Sequence, residues 1–369
     1  MTKNIAILTS SRADYGILKP LISKLQIDNR FIISIIVFGM HLEEKFGYTV
    51  KEIKKDFKNR VIELKSMPTD DSKKEISVGF GIIIKKFNTI WDKHVFDFII
   101  AIGDRFEMCA AVQSVIPYET KVVHIHGGET SLGSIDNIYR HQITLASSLH
   151  LTSNKFHSKR VEELLGNNNK KIINIGSLSL YGIDKLKLPD WSDVATNFNL
   201  PLDNFIIATF HPETVNVDRN KRYAKIVEES FKILSKKVNI IFTSTNADTL
   251  GHLFNESILE LSKSDSNIYF IKSLGKLNYF SALNSCLFVI GNSSSGIIEA
   301  ASFKKYAINI GDRQLGRIKN KNVIDIDFDK KKIIEISNDL INKKSTFSGK
   351  NIYEFNFKMN DLLNILYQF

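Results

Sequence analysis

The sequence predicts an α/β chain built on two parallel sheets, and three observations carry that expectation. Apolar runs of strand length recur along all 369 residues. They are apolar throughout instead of alternating, as in sheets covered by helices on both faces. Longer amphipathic stretches separate them, which is the βα rhythm of a parallel sheet. A chain of this length exceeds one ordinary core, so two domains are expected.

In the first half, strands are expected at 4–9, 31–37, 60–64, 98–102, 121–125, 150–152 and 172–175. Helices fall between them, for example at 17–25, 76–91 and 105–116. The second half repeats the plan, with strands at 205–209, 238–243, 268–271, 287–290, 306–310 and 323–326 and helices including 223–234, 250–262 and 330–342. Between the halves runs KLKLPDWSDVATNFNLPL, polar and marked by Pro189 and Pro201, where the domain join is placed. The chain thus divides into an N-terminal domain over 1–184, a linker over 185–202, a C-terminal domain over 203–351 and a closing helix over 352–369.

Composition excludes several classes. Hydrophobic residues make up 43% and charged residues 24%, as in ordinary globular proteins. No run approaches the roughly 18 apolar residues of a membrane span, and the opening MTKNIAILTSS lacks the features of a secretory leader. Cys109 and Cys286 lie in apolar segments of different halves and read as buried free thiols, so a cytoplasmic location is expected. The net charge of +10 comes from lysines spread along helices and loops, without a basic run, so neither nucleic acid nor membrane is an expected partner. A small polyanionic substrate would still gain from the positive field.

Ligands of open α/β sheets bind at the carboxyl ends of the strands. Seven clusters fall there. The first is Ser10-Ser11-Arg12-Ala13-Asp14-Tyr15-Gly16, where Arg12 ahead of a helix suits a phosphate; the plainer reading makes Asp14 a helix cap and Arg12 a surface charge. In Gly103-Asp104-Arg105-Phe106-Glu107, Asp104 is either a functional carboxylate at a strand tip or half of a capping box with Glu107, and both can hold. The richest cluster is His124-Ile125-His126-Gly127-Gly128-Glu129, followed by Asp136, Arg140 and His141. It puts carboxylates, imidazoles and a guanidinium beside paired glycines that permit close backbone approach.

His124 and His126 with Glu129 also suggest a metal site, but no H-E-x-x-H motif accompanies them and only His41, His150 and His211 offer further ligands, so no metal is expected. In the second half stand Phe210-His211-Pro212-Glu213-Thr214, then Asn246-Ala247-Asp248, then Gly291-Asn292-Ser293-Ser294-Ser295-Gly296 with Glu299 a turn later. The serines open a helix whose N–H groups and hydroxyls can cradle a diphosphate, and Glu299 can accept from ribose hydroxyls. Last comes Gly311-Asp312-Arg313-Gln314-Leu315-Gly316-Arg317, two arginines in a glycine-flanked loop. Neither a Walker A motif nor a G-x-G-x-x-G after the first strand is present, so neither ATP nor NAD binding is expected.

Taken in order, SRADYG, GDRFE, HIHGGE, IDNIYRH, HPETV, GNSSSGIIEA and GDRQLGR resemble the hydrolysing UDP-N-acetylglucosamine 2-epimerase family, which includes enzymes of sialic and legionaminic acid biosynthesis. The resemblance runs over residues 10–317. It implies the GT-B fold, two Rossmann-like domains with the substrate in the cleft between them, and no cofactor. It implies catalytic roles for Asp104, Glu129, Asp136 and His126. It assigns substrate binding to Arg12, Arg105, Arg140, His211, Asn246, Ser293, Ser294, Ser295, Gly296, Glu299 and Arg313. His126 departs from the family, standing where many relatives carry a glutamate, so Glu129 and His126 remain alternatives for the proton. The implied reaction releases UDP and N-acetylmannosamine through 2-acetamidoglucal. The alternative substrate is UDP-N,N'-diacetylbacillosamine, and relatives suggest a homodimer or homotetramer. A GT-B glycosyltransferase, a metal hydrolase and a non-catalytic nucleotide-sugar sensor are the rival classes.

Overall fold

The computed structural model describes residues 1–57, 60–68, 70, 72–132, 134–166, 171–213, 219–244 and 251–369. It divides into two compact units. The first comprises Met1–Glu129, Asp136–Tyr181 and Tyr353–Phe369, and the second Thr130–Ile135 and Gly182–Ile352.

In the first unit, strands β1 (Lys3–Thr9), β2 (Phe31–Phe38), β3 (Arg60–Leu64), β4 (Phe98–Ile102), β5 (Lys121–Ile125), β6 (Leu149–Thr152) and β7 (Lys171–Asn174) form one parallel sheet. Their order is β3-β2-β1-β4-β5-β6-β7. Register runs from Lys3 opposite Phe31 to Thr9 opposite Val37. Ile5, Ile7, Ile99 and Ile100 of the central strands are wholly buried, whereas the edge strands β3 and β7 carry exposed charged ends, which discourages further pairing.

Helices α1 (Arg12–Leu25), α2 (Val50–Asp56), α3 (Lys73–Trp91), α4 (Phe106–Val115), α5 (Asp136–Ala146) and α6 (Lys155–Leu164) lie between the strands. α1 and α3 begin earlier than their apolar periodicity indicates. Polar caps supply the first turn: Ser11 accepts from the Asp14 N–H and Ser72 from the Glu75 N–H. α4 corrects one expectation. Asp104 and Glu107 form no capping box; the N-cap is Arg105 without a side-chain bond.

The second unit contains α7 (Trp191–Phe198), β8 (Phe205–Thr209), α8 (Asn220–Leu234), β9 (Asn239–Thr243), α9 (Gly251–Ser264), β10 (Ile268–Ile271), α10 (Lys276–Ser285), β11 (Val289–Gly291), α11 (Ser294–Ile298), β12 (Ala307–Ile310), β13 (Val323–Ile326) and α12 (Lys330–Lys343). Its parallel sheet runs β10-β9-β8-β11-β12-β13. Phe231 packs edge-on against Phe210 at 5.7 Å and tilted against Phe242 at 4.9 Å, within an aromatic core. The stretch read as a linker carries α7, whose Trp191 stacks on Phe205 at 4.8 Å. The short segment Thr130–Ile135 also belongs here, the Leu132 N–H donating to the Leu315 carbonyl at 2.9 Å.

The closing helix α13 (Met359–Gln368) returns to the first unit, where Leu362 and Leu366 are wholly buried in its core. Among the described residues no helix is long and apolar enough to cross a membrane. Both sheets share one plan: strands are added on one side of the first strand, then on the other, so β1 neighbours β4 and β8 neighbours β11. The chain reverses its direction of growth at those pairs, and ligands of such sheets bind there.

Truncating a ring within the second core leaves a cavity, so Phe231→Ala is expected to lose about 3–5 kcal/mol of unfolding free energy. Urea denaturation followed by circular dichroism checks this.

Candidate active site

The carboxyl ends of β4 and β5 gather the densest set of charged groups. The turn after β5 begins at His126, whose φ of +63° is left-handed, a conformation histidine tolerates better than most residues. The turn is fixed at several points. The His126 N–H donates to the Leu151 carbonyl at 2.8 Å, its Nε2 accepts from the Leu178 N–H at 3.2 Å, and its carbonyl accepts from Arg140 at 3.3 Å. An accepting Nε2 places the proton of the neutral ring on Nδ1, which lies 3.9 Å from Glu129 Oε1.

Glu129 is 3% exposed. Its Oε2 sits 3.1 Å from Arg140 Nη1, and Arg140 Nη2 pairs with Asp104 Oδ2. Arg140, on the second turn of α5, is 2% exposed and joins the two carboxylates. Asp104 is the more open of the pair, with 27% side-chain exposure. Glu129 Oε1 also accepts from Ser153 at 2.8 Å. Asp136, the first residue of α5, is half-buried. Arg105 makes a two-point bond to the buried Glu107, both contacts at 3.1 Å. Arg12 is exposed at the start of α1. Asp14 does not cap that helix. Its carboxylate accepts from the backbone N–H and hydroxyl of Ser10, and burial pushes its pKa up.

Two of the imidazoles weighed as metal ligands are otherwise engaged. His124 Nε2 lies 3.0 Å from the Gly103 carbonyl, which can only accept, and Nδ1 lies 3.1 Å from Thr144 Oγ1. Burial drives its pKa from the ordinary 6.5 to about 3. His41 is held between Thr9 at 2.9 Å and Thr49 at 2.7 Å, and burial lowers it to about 4. Among the described residues no cluster of His, Cys, Asp and Glu could hold a metal ion. Cys109 and Cys286 are free and buried, which pushes both thiols up to about 12.

In the second unit, Asn292 is the organising side chain. Its Oδ1 accepts from the His211 N–H at 2.7 Å and its Nδ2 donates to the His211 carbonyl at 2.8 Å. Its own carbonyl accepts from Arg313 at 3.2 Å and Gln314 at 2.9 Å. The tips of β8, β11 and β12 are thus tied together around His211 and Arg313. The approach of β11 to β8 requires glycine: Gly291 has φ +135°, and a β-carbon there would fall 1.9 Å from the Thr209 carbonyl oxygen. Buried Glu213 accepts from the Asp312 N–H at 2.8 Å, and burial raises its pKa.

Ser293 caps α11, which is only five residues long, with Ser294, Ser295 and Gly296 in its first turn. Tyr279 donates to Ser295 at 2.7 Å and Ser295 donates to Glu299 at 2.6 Å. Burial raises the pKa of Glu299. Beside this chain lies a cavity of about 20 Å³ lined by Tyr279, Ser293 and Gly296, which is room for one water. Asn246 lies outside the described residues. Sequence reasoning singles out neither Asn292 nor Ser153. Asn292 stands inside one of the seven clusters, but Ser153 has no signal beyond its place after β6.

Residues 23–357 match the family model described as UDP-N-acetylglucosamine 2-epimerase. The chain belongs to that family. A GDP/UDP-N,N'-diacetylbacillosamine 2-epimerase (hydrolyzing) of Campylobacter jejuni is 34% identical over 88% of this chain and 84% of its own. Polysialic acid biosynthesis protein P7 of Escherichia coli is 31% identical over 98% of this chain and 92% of its own. The crystal structure of UDP-GlcNAc 2-epimerase from Neisseria meningitidis bound to UDP-GlcNAc superposes with a TM-score of 0.82, covering 99% of this chain and 100% of that one at 15% identity, and shares the fold. The chain is therefore an enzyme, a hydrolysing nucleotide-sugar 2-epimerase with two Rossmann-like domains. The glycosyltransferase, metal-hydrolase and sensor readings give way to this membership.

Removing the shared cation in Arg140→Met leaves Glu129 buried without its counter-charge and should cost about 3–5 kcal/mol in denaturant titration. His41 and His124 are neutral in the fold but take up protons near pH 6.5 once unfolded. The unfolded chain then binds more protons, so their contribution is complete above that pH and lost as pH falls toward about 4 and about 3. The slope per group is at most about 1.4 kcal/mol per pH unit. The raised carboxyls Asp14, Glu213 and Glu299 bend the curve the other way. The readout is therefore the difference between wild type and His124→Asn, whose stability should fall less steeply on acidification.

Proposed function

We propose that this epimerase acts on UDP-N-acetylglucosamine, releasing UDP and N-acetylmannosamine in the cytoplasm for the synthesis of a sialic-type acid. The C2 proton of the sugar is not acidic in the ground state. It becomes removable as the C1–O bond to UDP breaks and positive charge grows at C1. Loss of that proton and of UDP forms the C1–C2 double bond of 2-acetamidoglucal. Water then adds a hydroxyl at C1 and a proton on the other face of C2. No hydride moves, so the chemistry needs no redox cofactor.

The observation that carries this reading is the pairing of Asp104 and Glu129 through one buried guanidinium. Two carboxylates of unequal exposure at neighbouring strand tips suit two proton transfers of opposite sense. Glu129 takes the C2 proton in this reading. His126 is the weaker alternative, because its Nε2 is already committed to the Leu178 N–H. Asp104 and Asp136 serve the return of a proton and the sugar hydroxyls. Arg140 acts through the carboxylates that it joins. In the second unit His211, Arg313 and the Ser293–Gly296 turn bind the diphosphate as charge collects on it, and Glu299 binds the ribose; Arg12, Arg105 and Asn246 are assigned to substrate binding as well. The Neisseria meningitidis enzyme of the same fold is bound to UDP-GlcNAc in its crystal, which supports that ligand for this chain.

A second reading, the same reaction on UDP-N,N'-diacetylbacillosamine, is favoured by the name of the Campylobacter jejuni relative. Supplying each donor alone, with products read by mass spectrometry, separates the two. Release of N-acetylmannosamine supports the first reading, and turnover of only the diacetylated donor replaces it with the second. Asp104→Asn and Glu129→Gln are expected to lose at least about a hundredfold in kcat while remaining folded, and normal turnover in both would overturn the assignment. Arg313→Ala should weaken UDP binding by calorimetry, and unchanged affinity would remove Arg313 from the diphosphate site.

A further inference from the structure

Behind Glu129 lies a second layer of polar groups that the reaction scheme does not use. Ser153 Oγ is 2.8 Å from Glu129 Oε1 and 2.9 Å from His157 Nδ1. An ionised carboxylate can only accept and a hydroxyl has one hydrogen. The Ser153 hydrogen is therefore committed to Glu129, and His157 Nδ1 must be the donor to Ser153. This fixes the direction of a chain that runs from imidazole through hydroxyl to carboxylate. All three members are buried, Ser153 completely, and at low dielectric each bond polarises the next.

The chain is built by the fold. Ser153 directly follows β6. Asn154 caps α6 by accepting from the N–H groups of Phe156 and His157, each at 3.0 Å, which sets His157 in the first turn, four residues beyond Ser153. The His157 ring packs on Tyr353 at 5.8 Å. Gly128 completes the arrangement with φ +77°. A β-carbon there would lie 2.3 Å from the His157 carbonyl oxygen and 2.8 Å from Val161 Cγ2. Its absence lets the turn carrying Glu129 rest directly on α6. Among the described residues, the charged and titratable groups facing Glu129 include Arg140 from α5, with Asp104 beyond it, His126 on the same turn and His157 from α6.

We propose that Ser153 and His157 are positioning residues for the proton-transfer step, holding the Glu129 carboxylate in its working rotamer and in its ionised form. The inference rests on the reading of Glu129 as the base. The C2 proton ends on Glu129, while Ser153 and His157 keep their own protons throughout.

The test is the pH dependence of kcat for the purified enzyme, with UDP-N-acetylglucosamine or the diacetylated donor, whichever it turns over. Ser153→Ala removes one oxygen and no packing. His157→Phe keeps a ring against Tyr353 but removes the donor. Both should move the acid limb of the profile upward by about one pH unit, lowering kcat about tenfold on that limb, with KM changed less than about twofold. Ser153→Thr restores a hydroxyl, and His157→Asn restores a donor close to the position of Nδ1, so both should return the limb toward wild type. A merely structural role would lower the melting temperature or raise KM and leave the limb in place. An unmoved acid limb in folded Ser153→Ala overturns the inference, and so does a limb that Ser153→Thr and His157→Asn both fail to restore. Glu129→Gln distinguishes this from failure of the underlying reading. If it turns over normally, Glu129 is not the base; if it is inactive while Ser153→Ala keeps the wild-type limb, only the positioning role falls.

Discussion

A guanidinium that is 2% exposed needs anions at hand, and Arg140 has two. The desolvation penalty of so deep a cation is large, and only charge-assisted bonds of good geometry offset it. The dependence is mutual. Glu129, which is nearly as buried, receives Arg140 on one carboxylate oxygen and Ser153 on the other. Asp104 is drawn away from the end of α4, where its sequence position would have made it a cap. The arginine also donates to the carbonyl of His126 and so steadies the left-handed turn from which Glu129 projects. One residue on α5 thereby determines where two carboxylates point.

The second unit reaches the same end without charge. Asn292 offers one acceptor and two donors, and it uses an acceptor and a donor on the peptide groups of His211 while its carbonyl receives Arg313 and Gln314. A neutral amide is less costly to bury than an ion, so the strand tips are tied together without a buried charge. The contrast suits the chemistry proposed for each half. Proton transfer requires carboxylates with a controlled ionisation state, whereas diphosphate binding requires fixed donors.

The strands are legible because buried parallel strands are continuous apolar runs; those at 60–64, 98–102, 121–125, 205–209, 268–271 and 323–326 match the structure at both ends. The sequence places the starts of α1 and α3 too late, since a first turn held by Ser11 or Ser72 has no apolar periodicity to detect. The stretch around α7 looks like a linker because its prolines and polar residues conceal Trp191, which is apolar anchorage enough for a short helix. Spacing marks Asp104 and Glu107 as a capping box, but a stronger partner thirty-six residues away takes the aspartate. Ser153, His157 and Asn292 are harder still. Their importance lies in what they touch across the sheet, and single-sequence patterns carry no record of tertiary partners.

The path of the chain has a further consequence. α13 fills the core of a unit whose other elements precede Tyr181, while most of the second unit is the continuous stretch Gly182–Ile352. The first unit therefore interrupts its own path: part of its core is supplied by a segment that follows the second unit along the chain.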